Sequence, residues 1–137
     1  MKIRPNALVI IEKEGYILAS KGKDGVTGQV FYRLVGGGIE FGELSSETVK
    51  REFMEELGAE IINEKFITTA ENVFEFNGVK YHEITFIYRA DFKDESLYDQ
   101  ETIKRIDNDY EYADWVSIDE IKNNKIVLYP KETINYL

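Results

Sequence analysis

One stretch limits what this chain can fold into. The glycine triplet Gly36-Gly37-Gly38 is followed by a segment, Ser45–Leu57, in which the apolar residues fall at helical spacing. Val49, Phe53 and Leu57 recur every four residues and form one apolar stripe. Ser45 is the expected N-cap, Glu47 suits the positive end of the helix, and Gly58 is placed to stop it. The segments around this helix have a strand-like pattern. Residues 7–11 are a β-branched run suited to a buried strand, and residues 12–15 turn the chain back into a second strand at 16–19. Residues 30–35 make a third strand that runs into the glycines. Residues 21–29 carry Gly22, Gly25 and Gly28 among polar side chains and are expected to form a mobile loop.

After the helix, residues 61–76 return to a strand pattern, with an interruption expected at 68–71. Asn77-Gly78 is a strong hairpin signal because both residues tolerate positive φ. Residues 84–88 read as a central strand and 112–116 as the last one. Ser117-Ile118-Asp119-Glu120 fits a capping box that opens a short helix through Asn123. The tail, 126–137, is apolar enough to dock on the body. The order strands, helix, strands, helix predicts an α/β fold with a mixed sheet flanked by helices. No linker divides the 137 residues, so one domain spanning 1–137 is expected.

Composition removes several classes of function. There is no cysteine, which excludes a disulfide scaffold, a thiolate metal site and a cysteine nucleophile. His82 is the one histidine, so a multi-histidine metal centre within one chain is excluded as well. No apolar run reaches the roughly 18 residues of a membrane span, and residues 1–5 lack the core of a signal peptide. A cytoplasmic protein that does not engage membranes is expected. The net charge of −9 opposes binding to long nucleic acid, and a phosphate ligand would need divalent cations to offset it.

The chemistry lies on the helix. At about 100° per residue from Val49, Glu55, Glu52 and Glu56 fall at about 240°, 300° and 340°, one sector beside the apolar stripe. Three adjacent like charges repel, and a shared divalent cation reverses the sign. Carboxylate and carbonyl oxygens suit Mg²⁺ or Mn²⁺. A carbonyl of Gly36 or Gly37 is placed to complete the coordination, and Arg51 is expected to pair with Glu43 across the junction of loop and helix. Such a cluster can activate water and neutralise charge developing on a phosphate.

Gly37, Glu43, Arg51, Glu52, Glu55, Glu56 and Gly58 match every fixed letter of G-x5-E-x7-R-E-U-x-E-E-x-G-U, with U an aliphatic residue. The segment 37–59 therefore resembles the Nudix box of MutT-like hydrolases. Phe53 and Ala59 depart mildly from the aliphatic positions, and Val35 stands where many relatives have proline. The resemblance implies a Nudix α/β/α sandwich and a metal-dependent hydrolase. Its substrate would be a nucleoside diphosphate linked to another moiety, cleaved at the diphosphate by metal-activated water. The alternative is a catalytically silent nucleotide-sensing module. By the same carry-over, Glu52 and Glu56 are the principal metal ligands, Glu55 a ligand or base, and Gly36 the carbonyl donor. Relatives often dimerise, so the resemblance allows a homodimer.

The general base stays open among Glu52, Glu55, Glu83, Glu95 and Glu101. Glu83 has an edge-exposed position as its bland alternative, and His82 is read as a packing residue. Phe31 and Arg33, on one face of the strand before the glycines, are candidates for stacking on a base and holding a phosphate. Core packing with a surface charge is the competing reading. Trp115 and the tyrosines at 110 and 112 read as core. The acidic segment 91–111, with eight acids against three bases, is either a substrate-selecting lid or a solvated loop.

Overall fold

The computed structural model describes residues 1–108 and 111–137, so Tyr110, assigned above to the core, lies outside the described residues. The strands are β1 (Ile3–Ile10), β2 (Glu12–Lys13), β3 (Tyr16–Lys23), β4 (Val30–Gly38), β5 (Ile61–Phe76), β6 (Val79–Phe92), β7 (Thr102–Lys104), β8 (Tyr112–Ser117) and β9 (Leu128–Tyr129). The helices are α1 (Ser45–Leu57) and α2 (Ile118–Lys122), with 3₁₀ turns at Glu95–Asp99 and Lys131–Tyr136. The sheet runs β5-β6-β1-β4-β3-β8-β7, with β2 on β3 and β9 on β4. The β1–β6 and β4–β9 pairs are parallel and the others antiparallel, so the sheet is mixed as expected.

Alternation along β1 explains the layers. Ala7, Val9 and Ile11 face α1 and meet Val49, Phe53 and Leu57. Leu8 and Ile10 point the other way, into a second cluster with Ile121 of α2 and Leu128. Apolar side chains on both faces let one strand bury both sides of the sheet. This is the α/β/α sandwich. Among the described residues, no helix is long and apolar enough to cross a membrane.

Several local expectations need correction. The N-cap of α1 is Leu44, not Ser45: Glu47 closes the first turn by accepting from Leu44 N at 2.9 Å, and Ser45 Oγ instead pairs with Tyr88 Oη at 2.6 Å. The expected loop at 21–29 is shorter, because Lys21, Gly22 and Lys23 continue β3 opposite β4. What remains is clasped by Asp24, which accepts from Val26 N, Thr27 N and Asn77 N. The irregularities of β5 fall between Ile62 and Thr68 rather than at 68–71. The glycine triplet is strand, since Gly36, Gly37 and Gly38 pair with Leu8, Ala7 and Asn6. β8 is not the last strand, because β9 adds to β4. Tyr112 is exposed, whereas Trp115 packs against the α1-side core and stacks on Tyr98.

Other expectations hold. Gly58 ends α1 in the left-handed region, with its N–H on Met54 O and Ala59 N–H on Phe53 O. Asn77 and Gly78 have φ of 53° and 78° and turn β5 into β6. The tail docks through Leu128, Ile134 and Leu137.

Candidate active site

The hub of the site is Arg51, nearly two turns into α1. Its Nε donates to Glu43 Oε2 at 2.7 Å and its Nη2 to Glu43 Oε1 at 3.0 Å, the expected pair in bidentate form. Nη2 also reaches Gly38 O at 3.0 Å. Nη1 bridges two further acids, Glu52 Oε1 at 2.9 Å and Glu55 Oε2 at 3.1 Å. Thr48 Oγ1 adds a bond to Glu43 Oε1 at 2.6 Å. Hydrogen bonds from Arg51 and then Thr48 hold the Glu43 carboxyl down to about 2. The loop before α1 is thus tied to the helix through one guanidinium.

The glycines explain how Glu52 fits. A Cβ on Gly37 would stand 2.4 Å from Glu52 Cδ, so the carboxylate occupies the space a side chain would fill. Gly36 has φ of 152°, and a Cβ there would meet Ala7 O at 2.1 Å; only glycine lets β4 approach β1 this closely.

Glu56 is largely shielded, its side chain 13% exposed, and lies about 100° around α1 from Glu55, which is 57% exposed. Burial pushes its carboxyl up to about 8; Arg105 opposes that rise, while the charge of Glu52 and a hydrogen bond shared with it add to it. A buried carboxylate pair of this kind calls for a proton or a cation between its members. Among the described residues, no three acids converge at coordinating distance, because guanidinium groups stand among them. The donor set still fits a hard divalent ion: Glu52 and Glu56 supply anionic oxygen beside glycine backbone.

Glu56, Arg105 and the three glycines border a cleft of about 430 Å³, whereas Glu43, Arg51 and Glu52 stand behind them and do not line it. One end holds Glu56, Arg105 and Gly36, Gly37 and Gly38. The other is walled by rings: Phe74 stacks on Tyr81 (5.5 Å, 15°) and lies nearly parallel to Tyr129 (6.4 Å, 24°), and Phe31 meets Tyr129 edge-on at 5.5 Å. Phe31, Arg33 and Glu83 all line this cleft. Arg33 Nη2 donates to Glu83 Oε1 at 3.1 Å, and Glu83 is buried on the interior strand β6 rather than edge-exposed. Glu55, Glu95 and Glu101 do not line the cleft, nor does His82.

Sequence reasoning missed Asp24, Phe74, Tyr81, Arg105 and Tyr129. Phe74 and Tyr81 were within reach, because a two-residue Asn77-Gly78 turn sets Phe74 opposite Tyr81. Arg105 and Tyr129 carry no local signal, being brought in by chain that folds back from elsewhere.

A mixed-sheet sandwich whose arginine-braced carboxylate helix meets glycine backbone beside a cleft is the arrangement that the resemblance of segment 37–59 implies. The model of the NUDIX domain matches residues 2–137. The chain belongs to the Nudix family and is a pyrophosphohydrolase of that family, whose members act on nucleoside diphosphate derivatives and generally use divalent metal ions. Solved structures share the fold. A MutT Nudix hydrolase from Burkholderia pseudomallei is 21% identical, with 87% of this chain and 86% of that one covered at a TM-score of 0.65. A Nudix hydrolase from Nitrosomonas europaea is 23% identical over 90% and 78%, with a TM-score of 0.57. An ADP compounds hydrolase is 12% identical over 89% and 63%, with a TM-score of 0.61.

Proposed function

We propose that this enzyme is a cytoplasmic, Mg²⁺-dependent hydrolase, with Mn²⁺ able to substitute. It cleaves the diphosphate linkage of a small nucleotide, a nucleoside diphosphate joined to another moiety. The observation that carries the reading is the single cleft that joins the Glu56 and glycine end to a wall of aromatic rings. A nucleotide has the same polarity, anionic at one end and a flat ring at the other.

In this reading Glu52, Glu55 and Glu56, with the carbonyl of Gly36, hold the ion. Bound there, the ion neutralises phosphate charge and makes a water molecule more acidic. Arg51 fixes Glu43, Glu52 and Glu55 relative to one another. The oxygen of water bonds to a phosphorus of the linkage while the P–O anhydride bond breaks and its electron pair leaves with the second phosphate. The water proton passes to one of the two carboxylates on Arg51 Nη1, Glu52 or Glu55. A base packs against the wall formed by the Phe31, Phe74 and Tyr129 rings, and Arg33 faces the ribose or phosphate beside them. Products are a nucleoside monophosphate and a phosphorylated partner.

The fold neighbour described as an ADP compounds hydrolase makes ADP-linked compounds the first to test. The assay is a chromatographic panel of ADP-ribose, nucleoside triphosphates and dinucleoside polyphosphates, run with Mg²⁺, Mn²⁺ or EDTA. Turnover on at least one compound should need the ion and fall by about 10²-fold or more in Glu56→Gln. Undiminished turnover in EDTA overturns the reading, and so does a nucleotide that raises the melting temperature yet survives uncleaved.

A further inference from the structure

We propose that Arg105 is a built-in counter-ion of Glu56 that gives up this contact when a divalent cation enters and turns its guanidinium to the diphosphate of the substrate. The inference rests on the metal-binding role proposed for Glu56. Arg105 follows β7, about fifty residues beyond the box helix, yet lies in the cleft beside Glu56 and the glycines. Its Nη2 is 3.4 Å from Glu56 Oε1. Both side chains are largely shielded from water, at 18% and 13% exposure, so solvent screens their attraction less than at an exposed surface.

Among the described residues three carboxylates hold the guanidinium, and the contact to Glu56 is the longest. Asp107 receives hydrogen bonds from Nε at 3.0 Å and Nη2 at 2.8 Å, and Glu111 lies 3.1 Å from Nη1. Letting go of Glu56 therefore leaves two carboxylates to keep the head in the cleft. The backbone is fixed independently: Ile106 N donates to Glu56 O at 2.7 Å and Arg105 N to Glu111 O at 3.1 Å. The side chain can shift while the segment stays in place.

Charge sets the direction of the exchange. A divalent ion on Glu56 repels a guanidinium bound to the same carboxylate, whereas the arriving diphosphate attracts it. The planar fork of arginine matches two phosphate oxygens at once, which lysine cannot reproduce. Arg105 is thus a positioning residue in the empty site and a substrate contact in the loaded one.

The test uses the whole chain and its Arg105→Ala and Arg105→Lys variants. Calorimetry with Mn²⁺ alone, without nucleotide, should show tighter binding to Arg105→Ala by about three- to tenfold, because a competing cation is gone. Michaelis kinetics on a compound the wild type cleaves should show KM raised about tenfold or more in both variants, with kcat changed by less than about threefold. In Arg105→Lys the charge remains without the fork, so Mn²⁺ affinity should lie nearer the wild type while KM stays high. Weaker or unchanged Mn²⁺ binding in Arg105→Ala overturns the exchange, as does a KM restored by lysine. If the wild type itself fails to bind Mn²⁺, the metal role of Glu56 falls and the exchange with it. Normal wild-type binding with an indifferent Arg105→Ala sinks the exchange alone.

Discussion

Gly37→Ala separates catalysis from folding at this site. The new Cβ would stand 2.4 Å from Glu52 Cδ and 2.5 and 2.7 Å from its two oxygens, where ordinary contact begins at 3.4 Å. The carboxyl group must therefore retreat by about 1 Å, pulling on the bond it accepts from Arg51 Nη1. Retreat is easy, since what is struck is the end of a flexible side chain and not backbone. Gly37 is absent from the positive-φ glycines, so alanine fits the strand conformation, and the substitution even removes about 0.4–1 kcal/mol of unfolded-state freedom. A catalytic group misplaced by about 1 Å loses on the order of 10² in rate, about 2.7 kcal/mol of barrier. Turnover of the best substrate with saturating Mg²⁺ should fall by that factor while the thermal midpoint stays within a few degrees. Wild-type turnover would refute the placement of Glu52 against Gly37, and a collapsed midpoint would refute the claim that only the carboxylate moves.

Two further outcomes follow from the same geometry. The Glu43 carboxyl titrates at about 2 in the fold against an ordinary 4.5. The stability it lends is fully present above 4.5 and is lost as pH falls toward 2, so Glu43→Gln should flatten that part of a urea-unfolding series. Phe74→Ala removes the ring between Tyr81 and Tyr129; KM for the nucleotide should rise about tenfold, roughly 1.4 kcal/mol, with kcat little changed in steady-state assays.

The site was legible where its parts are local. Seven box residues within 22 positions spelled out the helix, its stop at Gly58 and the Glu43–Arg51 bridge, because each depends on spacing along one helix and the turn before it. The N-cap was misplaced because two neighbouring positions compete there: Glu47 can cap from inside the helix, which freed Ser45 for Tyr88. Loop 21–29 read as mobile because its glycines are local while its clasp is not. Asp24 meets Asn77, which is 53 residues away. Arg33 and Glu83 were singled out separately, but their ion pair depends on β4 and β6 both flanking β1, an order no local pattern encodes. Segment 91–111 looked like a solvated loop or a lid by composition. Its buried Ile103, and Leu97 and Tyr98 against the core, show that a few apolar residues suffice to dock an acidic stretch.

The electrostatics of the cleft carry a last prediction. Its lining includes Arg4, Arg33 and Arg105, but also Asp24, Glu56, Glu75 and Glu83, and the chain as a whole has a charge of −9. Arg33 is already matched by Glu83, and among the described residues Glu56, Asp107 and Glu111 all lie against Arg105. An incoming diphosphate thus meets a site with no cationic surplus of its own. Without a divalent ion, binding should be driven by the rings and opposed by charge, so monovalent salt, which screens repulsion, should leave affinity unchanged or improve it. With the ion present the sign inverts: attraction between cation and phosphate is what salt screens, and affinity should fall. Calorimetry of a non-hydrolysable nucleotide analogue across a salt series, with and without Mg²⁺, reads both slopes. Parallel declines in the two series would mean that arginines alone attract the diphosphate, and that the clustered acids of α1 serve some purpose other than sharing a cation.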